Sequence, residues 1–360
     1  MAEDAQNEVL PLELAVRITW LQARLALEAS EPARALELVP PLMARLEEVP
    51  DLLRLEVASF LRLLEAAAHF ALGQRDEALA VLQALREAYP ASDAAVISFI
   101  EEAEAEANQG QLVKAQQLLA ELIVEYPNNK YAPYALYRSA LLAESRNEED
   151  YLEEATRKIE QLVTTYPDSE WVFSARFKQG DLYRKLGHWE SARQVYELII
   201  REFPDHRQIW AVQMALADSL SAQAGSNPIL RESAAVIYER LRDVASASAE
   251  LRIEAGLKAG SALVRGGRLD RGAELWWQVV DEFLIQDEAP ENLGTKGRYW
   301  LARTLSQLGE ILEQQDKLID ARRAYDLMRS RGLPEADWAT EQLRRLGADQ
   351  GEESALIVDE

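Results

Sequence analysis

Apolar residues are spread evenly along this chain, with Ala and Leu prominent and few β-branched clusters, a pattern that predicts helix throughout. The clearest stretch covers residues 171–204, WVFSARFKQGDLYRKLGHWESARQVYELIIREFP. Two helix-length segments meet at Gly187, and Phe203-Pro204 closes the second. Small residues stand where the two helices must touch, Gly180 in the first and Ala192 in the second, with Tyr183 and Tyr196 filling the space beside them. The same plan recurs along nearly the whole chain. Aromatic-Pro pairs end at Pro90, Pro127, Pro167 and Pro204, spaced by 37, 40 and 37 residues. Proline cannot continue the helix it follows. Twelve residues before each Pro stands an Ala: Ala78, Ala115, Ala155 and Ala192. Gly73, Gly110 and Gly187 each precede their Ala by five residues, where a turn between helices needs Gly. The third repeat lacks that Gly, and a longer polar turn, Asn147-Glu148-Glu149-Asp150, is expected to hold its extra residues.

The flanks follow the same plan less strictly. Residues 12–30 read as one amphipathic helix. Its partner over 32–48 is expected to break or kink at Pro40-Pro41. Later pairs are expected over 209–224 and 230–244, over 252–264 and 270–283, and within 295–329, with a capping helix over 334–346. Ala273 and Trp277 are placed in the slots of Ala192 and Tyr196, as are Ala321 and Tyr325; Trp276 is left to packing between repeats.

Gly180, Tyr183, Gly187, Ala192, Tyr196 and Pro204 are spaced as in the tetratricopeptide repeat, and the chain resembles that family. The other units match more loosely, with Ala66, Ala103, Ala140 and Ala217 at the small position of the first helix. The period of 37 to 40 and the aromatic-Pro endings are similar to variants of bacterial envelope proteins, among them outer-membrane assembly lipoproteins and the periplasmic coordinator associated with Tol–Pal. The fold expected is all-α: a right-handed superhelical solenoid of about eight stacked helix-turn-helix hairpins with a C-terminal capping helix. Residues 1–346 are read as one solenoid, with units at 11–50, 51–90, 91–127, 128–167, 168–204, 205–245, 246–285 and 293–334 and a cap at 335–346. Residues 347–360 are read as an acidic, disordered tail carrying an apolar island, Ala355-Leu356-Ile357-Val358.

Charge narrows the function. With 62 acidic against 39 basic residues the net charge is -23, which repels nucleic acid and anionic membrane surfaces and suits a basic protein or peptide partner. No stretch approaches the roughly 18 apolar residues of a membrane span. The opening MAEDAQNEVL has no export signal, though residues 2–6 equally fit the start of a mature exported protein. The resemblance implies a periplasmic or envelope-associated setting, with the cytoplasm as the alternative.

No catalytic, cofactor-binding or metal-binding constellation is found. The absence of cysteine removes thiolate chemistry, and His69, His188 and His206 lack a second histidine at ligand spacing. His69 takes the slot of Tyr183 and is expected to be packed. Acidic pairs such as Glu101-Glu102 are expected on solvated faces. The resemblance implies instead a concave surface lined by the first helix of each hairpin. Carried over by register, it consists of Phe60, Leu63 and Phe70; Ile97, Ile100, Glu104 and Asn108; Tyr134, Tyr137 and Glu144; Phe177, Asp181, Arg184 and Lys185; Met214, Asp218 and Ser221; and Lys258 and Arg265. Three readings stay open: an open groove for a peptide or helix of a partner, burial of these residues between repeats, or cover by the N-terminal helix. The function expected is a non-enzymatic interaction scaffold, with a self-assembling repeat protein as the alternative.

Overall fold

The computed structural model describes residues 11–225, 227–286 and 293–356, with side chains up to residue 347. No strand occurs among the described residues. The chain divides into two compact units, Met1–Ala175 and Arg176–Glu360. The first holds α1 (Leu12–Glu28), α2 (Pro32–Leu46), α3 (Asp51–Ala71), α4 (Arg75–Ala88), α5 (Asp93–Asn108), α6 (Leu112–Glu125), α7 (Ala132–Glu144) and α8 (Glu149–Thr165). The division falls inside α9 (Val172–Lys185). The second holds α10 (Trp189–Glu202), α11 (Ile209–Ala224), α12 (Pro228–Arg242), α13 (Ala249–Arg265), α14 (Leu269–Val280) with a π-helical turn Asp281–Ile285, α15 (Thr295–Gln314), α16 (Leu318–Ser330) and α17 (Ala336–Leu356).

Each hairpin turns on one residue in the left-handed region. At Gly187, φ is 75°, and the next amide, His188 N–H, donates back to Tyr183 O at 2.8 Å, satisfying a carbonyl that the helix end leaves open. Asn147 adopts the same conformation, φ 55°, which Asn tolerates better than most residues with a β-carbon. The third repeat therefore has an ordinary turn. Its extra length lies in α8, which runs 17 residues where α6 and α10 run 14, contrary to the longer turn expected. In α2 the expected break does not occur. The helix runs unbroken through Pro40 and Pro41, both of which face solvent, so the carbonyls they fail to bond can be hydrated. α17 continues past Gly347 to Leu356; Gly347 and Gly351 each weaken a helix by about 1 kcal/mol without ending it. Ile357 and Val358 of the apolar island lie outside the described residues.

Hairpins close through a small residue set against a large one. Ala78, Ala115, Ala155 and Ala192 have no exposed surface, nor do Leu82, Leu119, Ile159 and Tyr196 one turn later. A methyl group added at Gly180 would overlap the Tyr196 ring, and one added at Gly309 would overlap Tyr325. In the α13–α14 pair this place belongs to Trp276, which is 1% exposed and lies against Gly260. Trp277, placed there by the sequence reading, is half-buried and carries Arg323 over its ring at 5.2 Å. The left-handed residue of this turn is Gly267, and five positions on stands Gly272, not Ala273; counting from Gly267 puts Trp276 in the slot.

The polar tips of these rings reach carboxylates on the facing helix. Tyr196 donates to Asp181 at 2.8 Å, Tyr238 to Asp218 at 2.7 Å and Tyr325 to Glu313 at 2.6 Å. In the first unit, the tyrosines of the aromatic-Pro endings tie one repeat to the last: Tyr126 Oη donates to Pro90 O at 3.0 Å and Tyr166 Oη to Pro127 O at 2.7 Å. Within each unit, first helices touch across hairpins, α1 on α3 and α3 on α5, then α11 on α13 and α13 on α15. Second helices make no comparable contact among the described residues, so the first helices line the crowded inner side of each stack.

Two outcomes are expected. Gly180→Ala should lower stability by about 1–3 kcal/mol, the usual cost of overpacking, read as a lower urea midpoint. Burial, reinforced by the adjacent carboxylates, raises the phenols of Tyr196, Tyr238 and Tyr325 above their ordinary value of 10.0. Above that pH the unfolded chain has lost these protons and the folded chain keeps them, so stability falls as pH rises. The urea midpoint should drop between about pH 9 and about pH 11, and less steeply when all three tyrosines are Phe.

Candidate functional site

In the first unit, Phe60 on α3 stands between two cavities. One of about 550 Å³ is lined by Leu52, Leu55, Phe60, Tyr89 and Pro90; another of about 270 Å³ is lined by Trp20, Leu21, Leu53 and Phe60. Leu52, at the mouth of the larger, is 83% exposed. Leu63 and Phe70 are half-buried against a cluster containing Ala66, Leu82, Leu85 and Ala94. On α5, Ile97 is half-buried and Asn108 exposed, while Ile100 is 8% exposed and joins the core with Phe99 and Leu119. Ile100 is therefore a packing residue rather than part of the surface proposed from register.

Tyr134 and Tyr137, half-buried on α7, flank Trp171 with ring centroids 5.0 and 5.2 Å away. The sequence reading passed over Trp171, although it opens the best-matching repeat and ends a turn in which its amide N–H donates to Ser169 Oγ at 3.2 Å. Carboxylates stand beside this aromatic group. Burial, and then the charge of Glu104, raise the Glu101 carboxyl above the usual range. Burial, with the nearby carboxylates of Glu104 and Glu101, raises the Tyr134 phenol too.

On α5, Glu102, Glu104 and Glu106 are bound into the fold instead of lying on a solvated face. Glu102 pairs with Arg86 at 2.7 Å, and Glu104 accepts from Arg138 Nη2 at 2.6 Å. Glu106, 1% exposed, accepts from Lys114 at 2.8 Å and also from Arg75. Burying a carboxylate this deeply is tolerable only with such partners.

In the second unit, Phe177 packs edge-on to Tyr196 at 6.1 Å, and Lys185 is exposed at the end of α9. Met214 is 7% exposed and belongs to the core, again unlike the surface expected from register. Asp181 and Arg184 pair at 3.6 Å. Asp218 is a hub: Lys258 Nζ donates to both its oxygens at 2.8 and 3.0 Å, and Arg184 Nη2 lies 4.0 Å away. Lys258 is held from the other side by Glu254 at 2.7 Å. His69, half-buried, bonds through Nδ1 to Gln74 at 2.8 Å within its own turn. Among the described residues no three His, Asp or Glu side chains converge as metal ligands would, and no helix is long and apolar enough to cross a membrane.

The family described as YfiO, outer membrane lipoprotein, matches residues 64–211, a segment that includes Tyr134, Tyr137 and Trp171. No curated protein matches the chain significantly. Among solved structures, the C-terminal part of a repeat-containing protein from Cytophaga hutchinsonii is similar at 14% identity and a TM-score of 0.54, over 76% of this chain and 99% of that one. A tetratricopeptide repeat protein from Parabacteroides merdae is similar at 15% identity and a TM-score of 0.43, over 81% and 99%. The quorum sensor NprR from B. thuringiensis, in its apo form, is similar at 13% and 0.44, over 93% and 99%. No catalytic family is among these matches. With hairpins that turn on a left-handed residue and close on a small-to-large contact, the chain has the all-α, helix-turn-helix repeat fold of the repeat-containing protein from Cytophaga hutchinsonii.

Proposed function

We propose that this protein is a non-enzymatic interaction scaffold of the bacterial cell envelope, taking a peptide or helix of a protein partner on the first-helix surface of its hairpins. The observation that carries this reading is the aromatic group of Tyr134, Tyr137 and Trp171, half-buried on the inner side of the first unit beside Glu101 and Glu104. Rings fixed by packing give a partner large contact area at little entropic cost, and such residues dominate interface energetics. Glu104 is held by Arg138, and the Glu101 carboxyl beside the rings favours a basic residue of the partner. The cavity at Phe60 supplies an apolar anchor point on the same unit. The envelope setting is supported by the match of residues 64–211 to a family of outer-membrane lipoproteins.

A second reading, self-assembly, has its own support. Leu14, Leu21 and Leu25 are exposed along α1 at spacings of seven and four, on one helical stripe. Mass that grows with concentration, and stops growing in Leu21→Glu, would favour this reading over the adaptor.

A partner captured from envelope fractions and then purified is expected to bind Tyr137→Glu at least about tenfold more weakly than the wild type, with helical circular dichroism unchanged. Equal binding to both proteins would move recognition off this surface.

A further inference from the structure

The second unit contains a cavity of about 740 Å³ whose charge opposes that of the chain. Arg231, Lys258, Arg265 and Arg303 line it against a single carboxylate, Asp218, in a protein with a net charge of -23. Helix geometry gathers these groups. Lys258, Ser261 and Arg265 lie on one stripe of α13, spanning two turns, and Tyr299, Arg303 and Gln307 lie on one stripe of α15.

The basic groups are not equally occupied. Lys258 is neutralised by Asp218 and Glu254. Arg231 donates to Gly225 O at 2.6 Å and keeps its charge. Arg265 has one long contact, to Ser221 Oγ at 3.5 Å. No carboxylate among the described residues pairs with Arg303, although the chain has 62 acidic residues available. Two guanidinium forks left without carboxylates in an acidic protein are arranged for an incoming anion. Tyr299 and Trp300, 4.9 Å apart and edge to face, form the wall beside them, and the buried Trp300 Nε1 finds no acceptor among the described residues.

We infer that this cavity binds an acidic peptide segment of a partner protein, its carboxylates on Arg265 and Arg303 and an apolar side chain against Tyr299 and Trp300. The volume exceeds that of a single small anion, and the aromatic wall would be idle with one. A nucleic acid strand would bring a long run of negative charge against a chain of net charge -23, whereas a few carboxylates need only enter the cavity. The inference goes beyond the scaffold reading: it names a second site, of opposite charge preference, independent of Tyr134, Tyr137 and Trp171.

The test is fluorescence anisotropy on the full chain with a capped, fluorescein-labelled pentapeptide of Glu residues around a central Trp. Saturable binding is expected, weakened about tenfold or more by Arg265→Gln, by Arg303→Gln and by replacing the peptide's Glu with Gln. Raising salt from about 0.05 M to about 0.5 M should weaken it as well. Tyr137→Glu should leave it unchanged, which separates this site from the surface of the first unit. Equal binding of the Glu and Gln peptides, equal binding by the Arg variants, or no saturation would overturn the inference. Displacement by inorganic phosphate at the peptide's own concentration would reassign the cavity to a small anion, and tighter binding of a labelled oligothymidine would reassign it to nucleic acid; either result also overturns it.

Discussion

Close approach of two helices at one point per hairpin is the constraint on which the structure rests. Where Gly180 leaves no side chain, the ring of Tyr196 occupies the gap, and the two helices are held at the distance that ring sets. Everything nearby inherits that distance. Tyr196 Oη reaches Asp181 because the ring passes over Gly180, and Asp181 in turn lies in reach of Arg184. A similar chain of consequences runs from the buried Tyr238 to Asp218, and so to Lys258 at the edge of the cationic cavity. A packing rule thus fixes where charge is displayed.

Most of this was legible in the sequence because a backbone requirement is local. A residue forced to positive φ must be Gly or a tolerant substitute, and the close contact five positions on must be small; both leave marks at fixed offsets, as at Gly187 and Ala192. Fixed offsets mislead where the small residue or the turn residue changes identity. Trp276 was displaced by Trp277 because Ala273 is a more familiar small residue than Gly272, although the turn at Gly267 gives the register directly. At Asn147 a residue other than Gly made an ordinary turn, so the added length of the third repeat went to the wrong side of the helix boundary.

The surface was less legible than the fold. Family register locates a position on a helix but not how deeply neighbouring repeats bury it, and Ile100 and Met214 show the difference. Trp171 was missed because it precedes its helix, outside the positions that register tracks. The cationic cavity was out of reach for another reason. Arg303 comes from α15 and Arg231 from the start of α12, so only tertiary structure shows that they share a space with Lys258 and Arg265. Composition had pointed to basic partners because net charge averages over the chain, while carboxylates such as Glu102, Glu104 and Glu106 are already spent on structural arginines and lysines.

Among the described residues the main contacts between hairpins join neighbouring pairs, and Tyr126 and Tyr166 add a hydroxyl tie at two of the three such junctions in the first unit. A stack joined this way behaves mechanically as a series of links rather than as one block. Tension applied through a bound partner would be taken up by small changes spread over the junctions of a unit. If one junction yielded, the helices of the remaining pairs would keep their own closure, because each small-to-ring contact lies inside a hairpin and not between hairpins. For a scaffold between moving parts, that is compliance without loss of fold.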